Sequence, residues 1–66
     1  MFQVRVGQIW KDKGRDDVCT FLVKKVKEQL NSKSFIVEAY FLAGPYKGIT
    51  REWYVDSVDT LLADSV

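Results

Sequence analysis

The chain has 66 residues, of which 47% are hydrophobic and 29% are charged, and its formal net charge is +1. A chain this short holds one domain, and its composition is typical of a folded globular protein rather than a disordered segment. It contains no histidine and a single cysteine, Cys19, which excludes an internal disulfide framework and a Cys/His zinc site. We therefore expect one domain, residues 1–66, in a reducing environment.

The first predicted element is a strand over residues 3–10, which are rich in Val and end in Ile and Trp. Gly7 lies inside it and predicts a β-bulge or a close approach of the backbone. Without a bulge, Gln8 and Trp10 share the face of Val6. With a bulge, Val6 still faces the core and Trp10 turns outward, and we favour this arrangement because it removes Gln8 from the core.

A charged loop and a second strand follow. Residues 11–17 carry six charged side chains around Gly14 and no apolar one, which predicts an exposed loop. The second strand is predicted from Val18 to about Lys27, apolar at its start and cationic at its far end. Cys19 lies in the apolar half, so we expect a buried core residue rather than a reactive thiol.

Two more strands are predicted on either side of a glycine-containing turn. A polar break precedes the third strand, residues 35–42, which has one wholly apolar face. That face consists of Phe35, Val37, Ala39 and Phe41. The turn at residues 44–48 contains the one proline and Tyr46, which we expect to be exposed, and residues 49–55 form the fourth strand.

The C-terminal segment has the pattern of a helix start. Asp56 offers a capping oxygen, Asp59 supplies an acid three residues later, and Val58 and Leu61 recur at helical spacing. We expect one short helical or 3₁₀ turn here, with a last strand contact near residues 61–63.

This pattern of elements favours an all-β fold: a small, bent antiparallel barrel of the SH3-like type, with four to five strands and a C-terminal helical or 3₁₀ turn. The alternative is an open antiparallel sheet with one face covered by a second copy of the chain, because the outer faces carry many apolar residues. No stretch approaches the roughly 20 apolar residues of a membrane span. We expect a soluble, cytoplasmic protein without a membrane partner.

Two short motifs resemble a known group of proteins. Residues 6–10, Val-Gly-Gln-Ile-Trp, followed by a charged loop, resemble the opening of very short SH3-like proteins encoded by bacteriophages, and residues 53–58, Trp-Tyr-Val-Asp-Ser-Val, resemble their ending. The resemblance implies an accessory binding protein that acts in the host cytoplasm and blocks a host protein or a host defence system. It implies no catalytic residue.

Aromatic and cationic residues around the turn and the fourth strand are the candidate binding residues. They are Tyr46, Lys47, Arg51, Trp53 and Tyr54, with Tyr40 and Trp10 as further members. Rings and a guanidinium can anchor a protein partner, where Trp, Tyr and Arg dominate the binding energy, or can hold a small nucleotide. The structural alternative places Trp10 and Trp53 in the core and pairs Arg51 with a neighbouring glutamate.

A second candidate surface is basic. Lys24, Lys25 and Lys27, with Lys33 nearby, are candidate phosphate contacts for a nucleic acid. Nucleic-acid binding by phosphate contact is typical of domains with a pI above about 9, whereas this chain has a pI of about 7.8. We therefore favour an ordinary solvated lysine face.

Catalysis is not expected, because the chain has no histidine, no Gly-rich phosphate loop and no recognisable pair of catalytic carboxylates. No cofactor or metal is expected either. A small nucleotide needs a cavity of about 300 Å³, more than so short a barrel encloses, so a nucleotide-binding version would hold its ligand between protomers of a homo-oligomer.

Overall fold

The computed structural model describes residues 2–12 and 19–64, and within them the chain forms one antiparallel sheet of five strands with no helix. The strands are β1 (Ile9–Asp12), β2 (Cys19–Asn31), β3 (Ser34–Ala43), β4 (Thr50–Asp56) and β5 (Thr60–Asp64). Their order across the sheet is β4-β3-β2-β1-β5. Four strands thus follow one another as a meander, and the fifth returns to pair with the first.

The sheet is strongly curled but remains open. In a flat sheet the edge strands β4 and β5 would lie about 19 Å apart, four strand spacings. Here a three-residue turn, 57–59, joins them, so the two edges approach each other at this corner. Register shifts at four points along β2 and β3 supply the bending, because a bulge increases local twist. The strands β4 and β5 are not paired with each other.

The core lies on the concave side of the sheet. Ten apolar residues are buried among the described residues, and the predicted apolar face of the third strand is confirmed, since Phe35, Val37, Ala39 and Phe41 are all among them. Cys19 is also fully buried, as predicted. Strand alternation thus places one row of each central strand inside and the next row in solvent.

The predicted bulge at Gly7 is confirmed, but its predicted effect on the faces is wrong. Gly7 has φ 93°, its N–H donates to the carbonyl of Val23, and Val23 donates back to the carbonyl of Gln8. A turn closed by the Gln8 N–H on the carbonyl of Arg5 precedes β1. Val6 is 58% exposed there, while Trp10 is 4% exposed and Gln8 is buried. The predicted strand over residues 3–10 is reduced to Ile9–Asp12, because Gly7 closes a turn.

Gln8 is tolerated in the core because its side-chain oxygen is fully hydrogen-bonded there. Its Oε1 accepts a hydrogen bond from the backbone N–H of Arg5 (2.6 Å) and another from Nε1 of Trp10 (3.1 Å). A buried amide oxygen with two donors has no unmet hydrogen-bonding requirement. The polarity of Gln8 predicts a position outside the core, but these two donors allow its burial.

Two other strand predictions differ at their ends. Lys11 and Asp12 belong to β1 rather than to the predicted charged loop, and residues 13–17 lie outside the described residues. The second strand continues to Asn31, beyond its predicted end, because the hairpin to β3 closes only at residues 32–33. A lysine-rich strand end can extend this far when its partner strand supplies the hydrogen bonds.

The prediction of a C-terminal helical turn is wrong, whereas the predicted strand contact near residues 61–63 is confirmed. Asp56 does act as a cap, since its Oδ1 accepts hydrogen bonds from the N–H groups of Val58 and Asp59, both at 2.8 Å. Thr60 then enters β5 instead of continuing a helix, and its hydroxyl donates to the carbonyl of Asp56. The N–H of Asp59 is the largest influence on the pKa of Asp56 and lowers it below its ordinary value of 3.8. Burial opposes this effect, and the N–H of Val58 lowers the pKa further.

Candidate functional site

The start of β4 and the turn before it bring three of the predicted residues together. Arg51 and Trp53 are two positions apart on β4 and therefore share a face. The centroids of the Tyr46 and Trp53 rings are 5.6 Å apart. Arg51 Cζ lies 4.6 Å from the centroid of the Tyr46 ring and 5.6 Å from that of Trp53. We call Tyr46, Arg51 and Trp53 the aromatic-arginine cluster.

The turn at residues 44–48 positions Tyr46. Gly44 and Gly48 have φ values of 98° and 84°, which side chains other than glycine rarely adopt. Between them, the N–H of Lys47 donates to the carbonyl of Gly44 at 3.2 Å, and the N–H of Ile49 donates to that of Tyr46 at 3.0 Å. The turn is thus folded back on itself, and it places the Tyr46 ring over the sheet.

A buried ring supports the cluster from below. Phe41 is fully buried, and its ring centroid lies 5.5 Å from that of Tyr46 and 4.9 Å from that of Trp53, both in edge-to-face geometry. Tyr46 is therefore half-buried, which corrects its prediction as an exposed residue. The sequence predicted Phe41 as a core residue but gave no sign that it also supports Tyr46 and Trp53.

Arg51 has no carboxylate partner among residues 2–12 and 19–64, so the predicted pairing with a neighbouring glutamate is not formed. Glu52 points to the opposite face of β4, where its carboxylate accepts from Lys27 at 3.2 Å. Glu38 faces Glu52 across the strands and is also on that side. The Arg51 side chain is exposed, and its guanidinium retains its hydrogen-bond donors while the rings hold it in place.

The other predicted binding residues lie elsewhere. Lys47 is exposed in the turn, next to Tyr46. Tyr40 and Tyr54 are exposed on the outer face of the sheet, and the Tyr54 hydroxyl donates to Ser34 Oγ at 3.0 Å. Trp10 is in the core, where its ring packs edge-on against Phe2 with centroids 5.0 Å apart. Trp10 is therefore not a surface binding residue.

The predicted basic surface is interspersed with acids. All four lysines, Lys24, Lys25, Lys27 and Lys33, are exposed. Lys27 is paired with Glu52, and Lys25 lies directly opposite Glu38 in the pairing of β2 with β3. A phosphate backbone approaching this face would meet these carboxylates as well as the lysines.

An open groove of about 450 Å³ lies between the N-terminal segment and the far end of the β2–β3 hairpin. It is lined by Phe2, Gln3, Val4, Val26, Gln29, Ser32 and Phe35. None of these side chains is charged, so the groove offers no acid, base or metal ligand. Across the described part of the chain there is no group of three or more His, Cys, Asp or Glu residues that could hold a metal ion.

Comparison with known proteins finds no matching family model, no matching curated protein and no matching solved structure. Residues 2–12 and 19–64 form no helix with the length and apolarity that a membrane span requires. In the described structure, the aromatic-arginine cluster is where predicted binding residues meet.

Proposed function

We propose that this protein is a non-enzymatic binding protein that holds a protein partner on the aromatic-arginine cluster, and that its sheet is of the SH3-like barrel type. The curled meander supports the barrel assignment, because a last strand that returns to the first is how a small sheet begins to close. The open sheet covered by a second copy is the alternative architecture.

The proposal rests on the surroundings of the Arg51 guanidinium. Arg51 Cζ lies 4.6 Å from the centroid of the Tyr46 ring, and the side chain is exposed. No carboxylate among residues 2–12 and 19–64 neutralises it. Tyr, Trp and Arg are the residue types that contribute most to binding at protein interfaces. Stacking also restricts the arginine before the partner arrives, which reduces the entropy lost on binding.

We further propose that the partner is a host protein and that the chain is of the phage type, acting in the host cytoplasm against a host enzyme or defence system. This part rests on the resemblance of residues 6–10 and 53–58 to short phage proteins. Phage origin would explain a chain with a binding surface and no catalytic constellation among the described residues.

The cluster geometry gives more support to a protein partner than to a nucleotide signal held between protomers. The Tyr46 and Trp53 rings meet at 63°, edge against face, so they leave no parallel slot for a base. One face of the Tyr46 ring is already covered by Arg51. Nucleic acid receives less support still, because carboxylates are interspersed among the lysines of the basic surface.

Capture from a bacterial host lysate on the immobilised protein, with mass analysis of bound proteins and released small molecules, tests the proposal. Arg51→Ala is expected to reduce recovery of the specific partner about 5- to 30-fold, the range of an interface arginine. Arg5→Ala is the matched control, because the Arg5 guanidinium is exposed and donates to Gln3, outside the cluster. Equal recovery with wild type and Arg51→Ala would contradict the proposal, as would release of a nucleotide alone.

A further inference from the structure

The edge of β4 presents free backbone groups beside the aromatic-arginine cluster. The N–H of Phe41 donates to Ile49, and the N–H of Ser57 donates to Lys33, so odd-numbered residues of β4 direct their backbone groups toward β3. The N–H and C=O groups of Thr50, Glu52 and Tyr54 therefore point away from the sheet. No strand covers them in the described structure.

This edge lacks several of the usual protections against strand pairing. Natural edge strands are protected by proline, by a bulge or by charged side chains, lysine above all. The charged residues of β4 are Arg51, Glu52 and Asp56, and Arg51 would repel a cationic strand but not an acidic one. Thr50–Asp56 contains neither proline nor lysine, and its register with β3 has no shift over seven pairs. The pairing of the opposite edge strand, β5, is interrupted by a register shift. Strand β4 is thus the regular edge, and no strand formed by residues 2–12 and 19–64 pairs with its outer side.

Arg51 determines what kind of strand this edge would accept. The backbone groups of Arg51 point toward β3, so Arg51 would form no backbone hydrogen bonds with an added antiparallel strand. The residue facing Arg51 on that strand would be its non-hydrogen-bonded neighbour. The Cα atoms of such a pair are about 4.5 Å apart and the side chains are in close contact. A carboxylate at that position could take the guanidinium donors that no described residue uses. Trp53, two positions on, offers an apolar surface to the next side chain of the same row.

We propose that β4 accepts an extended segment of the protein partner as an added antiparallel strand, with an Asp or Glu facing Arg51 and an apolar residue facing Trp53. This inference rests on the proposed function and specifies the chemistry of the partner: an acidic, strand-forming peptide segment. Main-chain hydrogen bonds to the edge supply affinity, and the carboxylate supplies specificity.

Charge complementarity favours a foreign strand over a second copy of β4. When two β4 strands pair antiparallel about a two-fold axis, the inner faces of both copies lie on the same side of the joined sheet. A residue of one copy therefore faces only residues of the other copy whose numbers differ from its own by an even number. The acids of β4, Glu52 and Asp56, are one and five positions from Arg51. Neither can therefore face Arg51 of the other copy.

A pair of synthetic peptides tests the charge requirement. The probe is acetyl-Thr-Val-Thr-Val-Thr-Glu-Thr-amide, in which the Glu can face Arg51 while a Val faces Trp53, and its control has Gln in place of Glu. Titration into ¹⁵N-labelled protein, followed by NMR, is expected to shift and protect the amides of Glu52 and Tyr54. The Glu peptide is expected to bind about threefold more tightly than the Gln peptide, the range of an exposed ion pair.

Variants determine whether the discrimination comes from Arg51. The threefold preference is expected to disappear in Arg51→Gln and to persist in Arg5→Gln. Absence of binding at millimolar peptide, equal affinity of the two peptides for wild type, or amide shifts confined to the outer face away from β4 would each overturn the inference.

A second pair of variants separates this inference from the proposed function. Glu52→Pro removes an outward N–H and obstructs the edge, while Glu52→Ala removes the same side chain and keeps the N–H. In the lysate capture, partner recovery is expected to be lost with Glu52→Pro and kept with Glu52→Ala, and circular dichroism checks that both fold. Recovery that survives Glu52→Pro but not Arg51→Ala would refute the added strand and leave the proposed function standing. A wild-type dimer that Glu52→Pro converts to monomer would assign the edge to a second copy.

Discussion

The two tryptophans have different environments because of their positions on the strands. Trp10 is 4% exposed and donates its ring N–H to a buried glutamine, whereas Trp53 is half-buried and shares one face with Arg51. Both residues belong to inward rows, but Trp53 is on an edge strand, where the core ends. Residue type alone therefore does not decide which tryptophan can meet a partner.

Removing the buried acceptor of Gln8 is expected to destabilise the protein. Gln8→Leu leaves the ring N–H of Trp10 buried without an acceptor, and we expect a loss of about 2 kcal/mol in the free energy of unfolding. Urea denaturation followed by tryptophan fluorescence measures it. The exposed Gln3→Leu, as a control, is expected to change stability by less than about 0.5 kcal/mol. A similar small effect for Gln8→Leu would show that the Gln8 acceptor is not needed for stability.

Asp56 is expected to make stability depend on pH in the acid range. Its pKa is lowered in the folded state, chiefly by the N–H of Asp59, so its charge stabilises the fold above the ordinary value of 3.8. That contribution is lost as the pH falls through the lowered pKa, where the carboxylate protonates. Thermal unfolding of wild type and Asp56→Asn from pH 6 to about pH 2 is expected to show a wild-type advantage that shrinks toward zero at the acid end. A constant difference across this range would contradict it.

At the scale of elements, predictions were accurate where alternation alone decides the structure. The third strand was predicted at residues 35–42 and is Ser34–Ala43, because its inward row is wholly apolar and fixes both face and register. The prediction of the first strand is inaccurate, because the direction of the chain before Gly7 depends on the turn that the bulge forms with β2. The C-terminal segment forms a tight turn and a strand instead of the predicted helical turn, because a capping aspartate has the same sequence pattern before a helix and before a tight turn.

The turn that positions Tyr46 is expected to require glycine at residue 48 for backbone reasons only. A Cβ there would meet nothing within 4 Å, but φ is 84°. Gly48→Ala is therefore expected to cost about 1 kcal/mol in unfolding free energy, and Gly48→Asn less, because asparagine tolerates a positive φ better. Denaturant titration of the three proteins measures both differences. An unchanged midpoint for Gly48→Ala would show that the turn adjusts its backbone freely.

At the scale of the whole molecule, curling of the sheet decides which surfaces are available. The short turn from β4 to β5 brings opposite edges of the sheet together at one corner, yet no strand of the described chain pairs with the outer side of β4. The same curl buries ten apolar residues of the segments 2–12 and 19–64 in a body with a radius of gyration of 10.5 Å. An open edge with an ordered cluster beside it is thus available on a small, folded chain.

Charge distribution over the whole molecule is expected to keep it from binding nucleic acid strongly. With a net charge of +1 and with Lys27 held by Glu52, few phosphates can be neutralised at once. Fluorescence anisotropy with labelled single- and double-stranded DNA is expected to give dissociation constants weaker than about 10⁻⁴ M at physiological salt. Tight binding that weakens steeply as salt rises, and that is lost in Lys24→Ala/Lys25→Ala, would instead support the basic surface.

Sequence alone determined the all-β class, the inward row of β3, the burial of Cys19 and the glycine turn, because each follows from local alternation or from the backbone freedom of glycine. It also singled out Tyr46, Arg51 and Trp53 by residue type. Tertiary structure decided that these three meet over Phe41, that Arg51 lacks a carboxylate partner in the described chain, and that β4 is an edge. These properties depend on strand order and on which face each strand turns inward, and both are set by contacts between residues far apart in the chain.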